Sequence, residues 1–367
     1  MFAILVLRQR WGFRHAQEVS EISPLPAREL PALSVIAAAC NEAAGIEAAL
    51  QSLLHQDYPH FEIIIVNDRS TDETGAILQR MSLAHPQLKV ITVESLPAGW
   101  LGKNHALWQA AKVATGEFLL FTDADIVFSR DALTRSVSYA IREQADHLAV
   151  FMGMVSHGLL FDAFLAFFVF SFNVKYAPWL ASNPNKTNYI GIGGYNLVRR
   201  SAYEAIGTHE AIRMQVADDM KLGQRIKQAG LCQRFLFGTG TVVVDWYQTP
   251  MEAIRGLEKN AFLGSEESPV FLVLFCLITI GIILLPYALI WMPPGMISLT
   301  AGICVLVQWV FATLCIRGSG LHPLAGVGFP FGMLIMMIAI LRSVWFTLRR
   351  GGIVWRGTFY PLKDLRG

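Results

Sequence analysis

The chain has 367 residues, 30 basic and 28 acidic, for a net charge of +2; 53% of them are hydrophobic and 16% charged, and the mean hydropathy is +0.43. Soluble domains carry about 25% charged residues, so this chain is short of water-facing groups, and disorder, coiled coil and a small disulfide scaffold are excluded by the same figures. The near-neutral balance excludes the strongly basic face of a nucleic-acid binder.

The averages conceal a division. Residues 268–367 hold seven Lys/Arg and one acid, and residues 1–267 hold the other 23 basic and 27 acidic residues. From Ser268 to Leu341 the one charged side chain is Arg317. That is membrane composition after a water-facing domain. The cysteines (Cys40, Cys232, Cys276, Cys304, Cys315) form no CxxC pair. They read as inert thiols of a reducing compartment, not a disulfide framework or zinc site.

In chain order, residues 1–32 read as a peripheral segment. Met1–Leu7 is apolar but too short to span a bilayer, and Arg8 and Arg10 follow it. A domain over 33–262 comes next. Short apolar runs at Leu33–Ala39, Phe61–Val66, Leu88–Val93 and Phe118–Thr122 predict strands. Helical stretches lie between them: about Ala43–Gln56, one capped by Thr71 or Asp72, and Lys103–Ala114. This alternation predicts an α/β fold with a parallel sheet and right-handed crossovers. Ligands of such sheets sit beyond the carboxyl ends of the strands. There the sequence gathers Asn41 and Glu42, then Asp68, then Asp123 and Asp125.

The Phe-rich stretch at about 158–180 reads either as an interfacial helix or as a buried core helix. A membrane region over 268–350 follows, with apolar stretches at about Val270–Met292, Gly295–Ile316 and Leu324–Leu348. Pro293–Pro294 breaks the first two into a hairpin, and residues 351–367 form a basic tail. Three full spans cannot put the domain and the basic tail on the same face. Either the third stretch, with Arg342 inside it, is re-entrant or surface-lying, or the positive-inside rule fails for the tail. Two to three membrane helices are therefore expected.

Asp123-Ala124-Asp125, at the exit of the fourth strand, carries the strongest chemical signal. Two carboxylates at i and i+2 offer hard oxygen ligands to Mg²⁺ or Mn²⁺, which take one or two carboxylates plus substrate phosphates. A solvated turn is the bland alternative. Gly191-Ile192-Gly193-Gly194 fits neither GxGxxG nor a P-loop, so no dinucleotide or ATP cradle is indicated.

Cys40-Asn41-Glu42, Val66–Asp72, Gly102-Lys103-Asn104, Asp123-Ala124-Asp125 and Ala217-Asp218-Asp219 together resemble, in order and spacing, the family 2 glycosyltransferases with the GT-A fold. That fold is a Rossmann-like, mainly parallel sheet, here followed by C-terminal transmembrane helices. Gly99–Lys103 and Trp355-Arg356-Gly357-Thr358 resemble the lipid-directed branch. The resemblance implies that Asp68 accepts the uracil imide proton, with Asn41 and Glu42 nearby. It implies that Asp123 contacts ribose or metal, and that Asp125 binds the metal. Lys103 would meet phosphate, with an exposed helix-start lysine as the alternative. Gly193 and Gly194 would lie under the sugar. The second acid of Asp218–Asp219 would be the general base, with an N-cap pair for a helix over Met220–Ala229 as the alternative. Arg255 and Lys259, at i and i+4, would reach the diphosphate or a lipid headgroup. The region lacks the Trp of processive relatives.

These expectations combine into an inverting, metal-dependent membrane glycosyltransferase with its catalytic domain in the cytoplasm. It would move a sugar from a nucleotide-sugar donor, a UDP-sugar, to a membrane lipid. The alternatives are a polysaccharide synthase and a non-catalytic nucleotide-binding membrane subunit.

Overall fold

The computed structural model describes residues 12, 16–258, 261–262, 268–316 and 321–365. Met1–Leu7, Lys259 and Arg317 lie outside them. The described residues divide into two units, one of His15–Met154 with Pro178–Asp245, the other built from Val155–Ala177 and Trp246 onward.

In the first unit Leu33–Ala39 is buried at every position, as a strand covered by helices on both faces must be. It forms β1. Parallel partners are β2 (Phe61–Asp68) on one side and β4 (Phe118–Asp123) on the other, with β3 (Leu88–Val93) beyond β2. The connections carry α1 (Ile46–Leu54), α2 (Thr74–Ala84) and α3 (Gly102–Val113). Ile36, Ile64, Val66 and Phe121 meet Ala106, Leu107 and Ala110 of α3 in the core.

Beyond β4 the sheet is mixed. β5 (Ile126–Phe128), α4 (Ala132–Arg142) and β6 (His147–Met154) follow. After α5 (Leu159–Tyr176), which belongs to the other unit, come β7 (Asn196–Arg199), α6 (Arg200–Ala205), α7 (Asp218–Gln228) and β8 (Gln233–Val244). The spatial order is β3-β2-β1-β4-β7-β6-β8-β5. β7 is antiparallel to both β4 and β6, and β5 is antiparallel to β8. The parallel expectation thus holds for the first four strands and for β6 with β8, and is corrected at β7 and β5. The reason is local: Thr122 Oγ1 donates to the Gly194 carbonyl at 2.8 Å. The glycine turn therefore delivers the chain at the carboxyl end of β4, and β7 has to run back.

The second unit holds α5 (Leu159–Tyr176), α8 (Pro250–Leu257), α9 (Pro269–Leu289), α10 (Met296–Cys315) and α11 (Phe329–Arg350). Among the described residues four helical stretches, those of α5, α9, α10 and α11, are long and apolar enough to cross a membrane. Phe161, Phe164, Phe167 and Phe170 of α5 are buried, each contributing about 2–3 kcal/mol. Phe167 and Phe170 meet Phe329 at 5.1 and 5.4 Å between ring centroids. A Cβ on Gly332 would lie 1.9 Å from the Ala163 carbonyl, so the missing side chain is what allows α11 to approach α5. The stretch predicted as a basic tail forms a hairpin, β9 (Gly352–Trp355) with β10 (Thr358–Pro361).

Candidate active site

β1, β2 and β4 end side by side, and the loops leaving them are tied together. Asn41, exposed and at φ +59°, accepts from the Thr71 amide at 2.8 Å and donates its own amide to Ser70 Oγ at 3.2 Å. The Glu42 amide donates to Thr74 Oγ1 at 2.8 Å, and Asp72 accepts from the amides of Ala43 and Thr74. Asn41 is thus a loop clamp. Asp72 supports the start of α2 from two residues ahead of the helix.

Asp68 is fully buried. Arg69 grips both its oxygens, Nε at 2.7 Å and Nη2 at 3.1 Å. A Cβ on Gly102 would lie 2.5 Å from Asp68 Oδ2 and from Arg69 Nη2. The glycine that opens α3 therefore admits the carboxylate to the positive end of the helix, where the peptide dipoles favour it.

Lys103 follows, 12% exposed at its side chain. Its Nζ lies 2.8 Å from Asp123 Oδ1 and 3.6 Å from Asp218 Oδ2. Burial alone would lower its pKa, but the carboxylates of Asp123, Asp218 and Asp219 outweigh burial and hold it above the ordinary lysine range. This overturns the exposed-lysine alternative: Lys103 is a fixed positive charge between a strand-end acid, Asp123, and a helix-start acid, Asp218.

The glycine loop explains itself against these acids. A Cβ on Gly191 would lie 1.9 Å from the Asp219 carbonyl. On Gly193 it would lie 3.0 Å from Asp123 Oδ2 and 3.5 Å from Asp219 Oδ2. Gly193 is therefore the space between the two carboxylates. Gly194 instead faces Met152 and Ile126 in the core. α7 is capped by Ala217, with Asp218 and Asp219 inside its first turn. The N-cap alternative for the pair is thereby corrected: Asp219 Oδ1 accepts from the adjacent Met220 amide at 2.7 Å. Burial first, then Asp218, pushes the Asp219 carboxyl up to about 7 against the pull of Lys103. That is the range in which a carboxylate both accepts and releases a proton near neutral pH.

Asp125 is half-buried. Burial, then Asp123 and Glu42, pushes it up to about 7. Five carboxylates (Glu42, Asp123, Asp125, Asp218, Asp219) thus face one lysine, a surplus that a divalent cation would relieve. Among the described residues no three His/Cys/Asp/Glu side chains form a ready metal cluster. The oxygens of Asp123 and Asp125 are of the hard type that suits Mg²⁺ or Mn²⁺.

Two supports escaped sequence reasoning. Asn104 Nδ2 donates to the carbonyls of Ile212 and Gln215 at 2.9 and 3.0 Å, holding the loop that leads into Asp218. Its place in Gly102-Lys103-Asn104 was the available signal. His147 is fully buried: its Nε2 lies 2.5 Å from Asn196 Oδ1 and its Nδ1 2.8 Å from Gln233 Nε2. Asn196 Nδ2 reaches the Asp219 carbonyl at 3.4 Å. No spacing in the sequence announces this network. Arg255 lies on α8 of the second unit, exposed, beside a cleft also lined by Arg350 and Arg356. Its expected partner Lys259 is outside the described residues.

Residues 34–207 match the family described as glycosyl transferase family 2. A 4,4'-diaponeurosporenoate glycosyltransferase of Staphylococcus aureus (strain USA300) is 26% identical over 237 residues. The match takes in 64% of this chain and 62% of that relative, so the chain spans less than two thirds of its length. Among solved structures, the mannosyltransferase PcManGT from Pyrobaculum calidifontis, in complex with GDP-Man and Mn²⁺, superposes with a TM-score of 0.56. The identity is 19%, with 94% of each chain covered, and that likeness is one of fold.

Proposed function

Starting from the match of residues 34–207 to glycosyl transferase family 2, we propose that the chain is a member of that family and transfers a sugar from a nucleotide-sugar donor to a membrane lipid, with inversion at the anomeric carbon. The observation that carries this is the convergence of Asp123 and Asp219 on the empty side-chain position of Gly193, with Lys103 bound to the other oxygen of Asp123. Asp219 accepts the proton of the acceptor hydroxyl as its oxygen attacks the anomeric carbon and the bond to the diphosphate breaks. Attack opposite the leaving group inverts the centre. Lys103 holds positive charge beside the departing phosphates. Asp123 and Asp125 would hold Mg²⁺ or Mn²⁺, which when bound supplies charge neutralisation on the diphosphate. Asp68, with Arg69, and the clamped loop at Asn41–Glu42 would shape the base end of the donor site. The solved neighbour's GDP-Man and Mn²⁺ pair the same two ligand classes.

The lipid acceptor is supported by the apolar helices of the same chain and by a relative named for glycosylating 4,4'-diaponeurosporenoate. We read α9–α10 as the spanning hairpin and α5 and α11 as lying at the interface. β6 and β7 flank α5 in sequence yet pair in one sheet, so a single crossing by α5 would tear the sheet between two compartments. α9 and α10 expose apolar side chains over most of their surface, from Phe271, Leu274 and Ile278 to Met296, Leu299 and Leu306, and each buries one narrow face, Leu272, Cys276 and Ile283 on α9 and Ala301 and Val305 on α10. α11 exposes one stripe, Phe331, Ile338, Trp345 and Leu348, the pattern of a helix floating on lipid. Both ends of α11 reach the same mouth of the hairpin. Val344 packs with Leu272 near the start of α9, while Phe329 meets Phe170, which meets Phe311 near the end of α10. This reading keeps the domain and the basic tail together on the cytoplasmic face.

The deciding experiment offers UDP-glucose, UDP-galactose, UDP-N-acetylglucosamine and GDP-mannose to detergent-purified protein with Mn²⁺ or Mg²⁺, with and without extracted lipids. Metal-dependent release of one nucleoside diphosphate, raised by lipid, is the expected result. Nucleotide binding without release from any donor would overturn it in favour of a non-catalytic subunit.

A further inference from the structure

β7, β6 and β8 are neighbours in the sheet of the first unit. Each sends one polar side chain to the same face: Asn196, His147 and Gln233. His147 stands directly opposite Gln233, and Asn196 stands opposite Ala149, two residues along β6 from His147. All three side chains are buried. An apolar trio would cover this face without the cost of desolvating polar groups. What a satisfied polar network adds is a single arrangement of the parts it joins.

The hydrogen-bond chemistry gives the network a direction. Gln233 Nε2 can only donate, so at 2.8 Å it makes His147 Nδ1 the acceptor and leaves the ring proton on Nε2. Burial holds the imidazole neutral, below its ordinary range. The Nε2 proton is donated to Asn196 Oδ1, 2.5 Å away. The Asn196 amide is thereby turned so that Nδ2 faces the Asp219 carbonyl at 3.4 Å. At the other end Gln233 grips Ile190 as a neighbouring strand would: Oε1 accepts from its amide at 3.0 Å, and Nε2 donates to its carbonyl at 3.1 Å. Nε2 also reaches the Gly223 carbonyl at 3.0 Å.

Both ends close on one face of α7, where Asp219 and Gly223 stand at i and i+4. A Cβ on Gly223 would lie 1.7 Å from the Ile190 carbonyl, and one on Gly191 would lie 1.9 Å from the Asp219 carbonyl. α7 therefore lies backbone against backbone on residues 190–191. The glycines set how closely the helix approaches. The hydrogen bonds to the Asp219 and Gly223 carbonyls set where along the loop it stops, and with it the place of the Asp219 carboxylate beside Gly193.

We propose that His147 is a positioning residue for the transfer: through Asn196 and Gln233 it fixes α7 along the glycine loop and holds the Asp219 carboxylate in reach of the acceptor hydroxyl. This rests on the reading of Asp219 as the base.

The test measures nucleoside-diphosphate release by the full chain in detergent with lipid extract and Mn²⁺ or Mg²⁺, at saturating UDP-glucose, UDP-galactose, UDP-N-acetylglucosamine or GDP-mannose. His147→Phe keeps a ring and removes both nitrogens, Asn196→Leu removes the contact to Asp219, and His147→Gln retains a donor for Asn196 Oδ1. Each is made in wild type and in Asp219→Asn. A 1 Å misplacement costs on the order of 10²-fold, so a shift of about half that size should lower kcat about tenfold in His147→Phe and Asn196→Leu. His147→Gln should stay within about threefold of wild type, and affinity for the released nucleotide within about twofold in all three. In the Asp219→Asn background the same changes should cost less than about twofold, because no base remains to be misplaced. Equal fold losses in both backgrounds, or nucleotide affinity falling in step with kcat, would overturn the inference in favour of general support of the fold. So would a wild-type kcat in both His147→Phe and Asn196→Leu, or failure of both to fold; if one fails, the other carries the same comparison. A wild-type rate in Asp219→Asn would strike the base reading itself, and no release from any donor by wild type would strike the transfer reading. Loss of rate in Asp219→Asn with unchanged His147→Phe and Asn196→Leu would strike the positioning role alone.

Discussion

Gly193→Ala isolates the active-site geometry from the fold. Gly193 does not have a left-handed backbone, so alanine adopts its conformation without strain. The new Cβ would lie 3.0 Å from Asp123 Oδ2 and 3.5 Å from Asp219 Oδ2. An ordinary contact is about 3.4 Å, so the Asp123 carboxyl must yield by about 0.4 Å, and the methyl fills the gap where donor and acceptor must meet. Displacement of a reacting group by 1 Å costs on the order of 10²-fold. A shift of this size plus the lost space should lower kcat/KM about 10- to 100-fold, or about 1.4–2.7 kcal/mol. The carboxyl ends can rotate away, so Tm should move by no more than about 2 °C, matching a change below about 0.5 kcal/mol. Gly191→Ala is the contrast. Its Cβ would meet the Asp219 carbonyl at 1.9 Å, and backbone cannot yield as a side-chain end does, so both Tm and activity should collapse. Nucleoside-diphosphate release and thermal unfolding of the two variants in the same detergent decide it. Turnover by Gly193→Ala within twofold of wild type, or a Tm loss as large as that of Gly191→Ala, would refute the placement of the reaction between Asp123 and Asp219.

Asp219→Asn should lower kcat by 10²-fold or more with a hydroxyl acceptor while nucleotide binding, read by equilibrium titration, stays within a few-fold of wild type. Lys103→Met leaves Asp123 and Asp218 without their cation and should cost about 3–5 kcal/mol of stability, seen as a large Tm loss that Lys103→Arg restores only in part. Burial holds His147 down at about 4, below its ordinary 6.5, and His209 at about 3. The unfolded chain therefore takes up protons first: stability is complete above pH 6.5 and falls as pH drops toward 4, by about 3 kcal/mol for His147. Asp125 and Asp219, pushed up to about 7, take up protons in the folded chain over the same range and oppose this fall. The His147 contribution is therefore read against His147→Gln: the Tm gap between wild type and variant should narrow from pH 7 to pH 5, and a gap that did not narrow would contradict a buried neutral imidazole. With α9–α10 as the spanning hairpin, a cysteine at Trp291 should react with an impermeant maleimide from the face opposite to one at Lys363; labelling of both from one face would return α11 to the spanning set.

The part of the fold that repeats is the part that was legible. β1, β2 and β4 are short apolar runs with polar exits, and their alternation with helices predicts their parallel pairing before any contact is known. Asp68, Asp123 and Asp125 could be named because strand ends are where such sheets bind ligands. What lay hidden depends on contacts distant in sequence. The reversal at β7 follows from one hydrogen bond, Thr122 to Gly194, and a four-residue strand carries no direction in its own pattern. Arg69 was passed over because its bidentate grip on Asp68 requires Gly102, more than thirty residues away, to lack a side chain. Gly191 and Gly194 read alike in sequence, yet one makes room for the Asp219 carbonyl and the other for the Met152 side chain. Hydropathy alone could not separate α11 from α9 and α10 either. All three are apolar over their lengths, and they differ in whether exposed apolar side chains form one stripe or cover most of the helix. Exposure after packing, set by α5 lying against Gly332, makes that distinction.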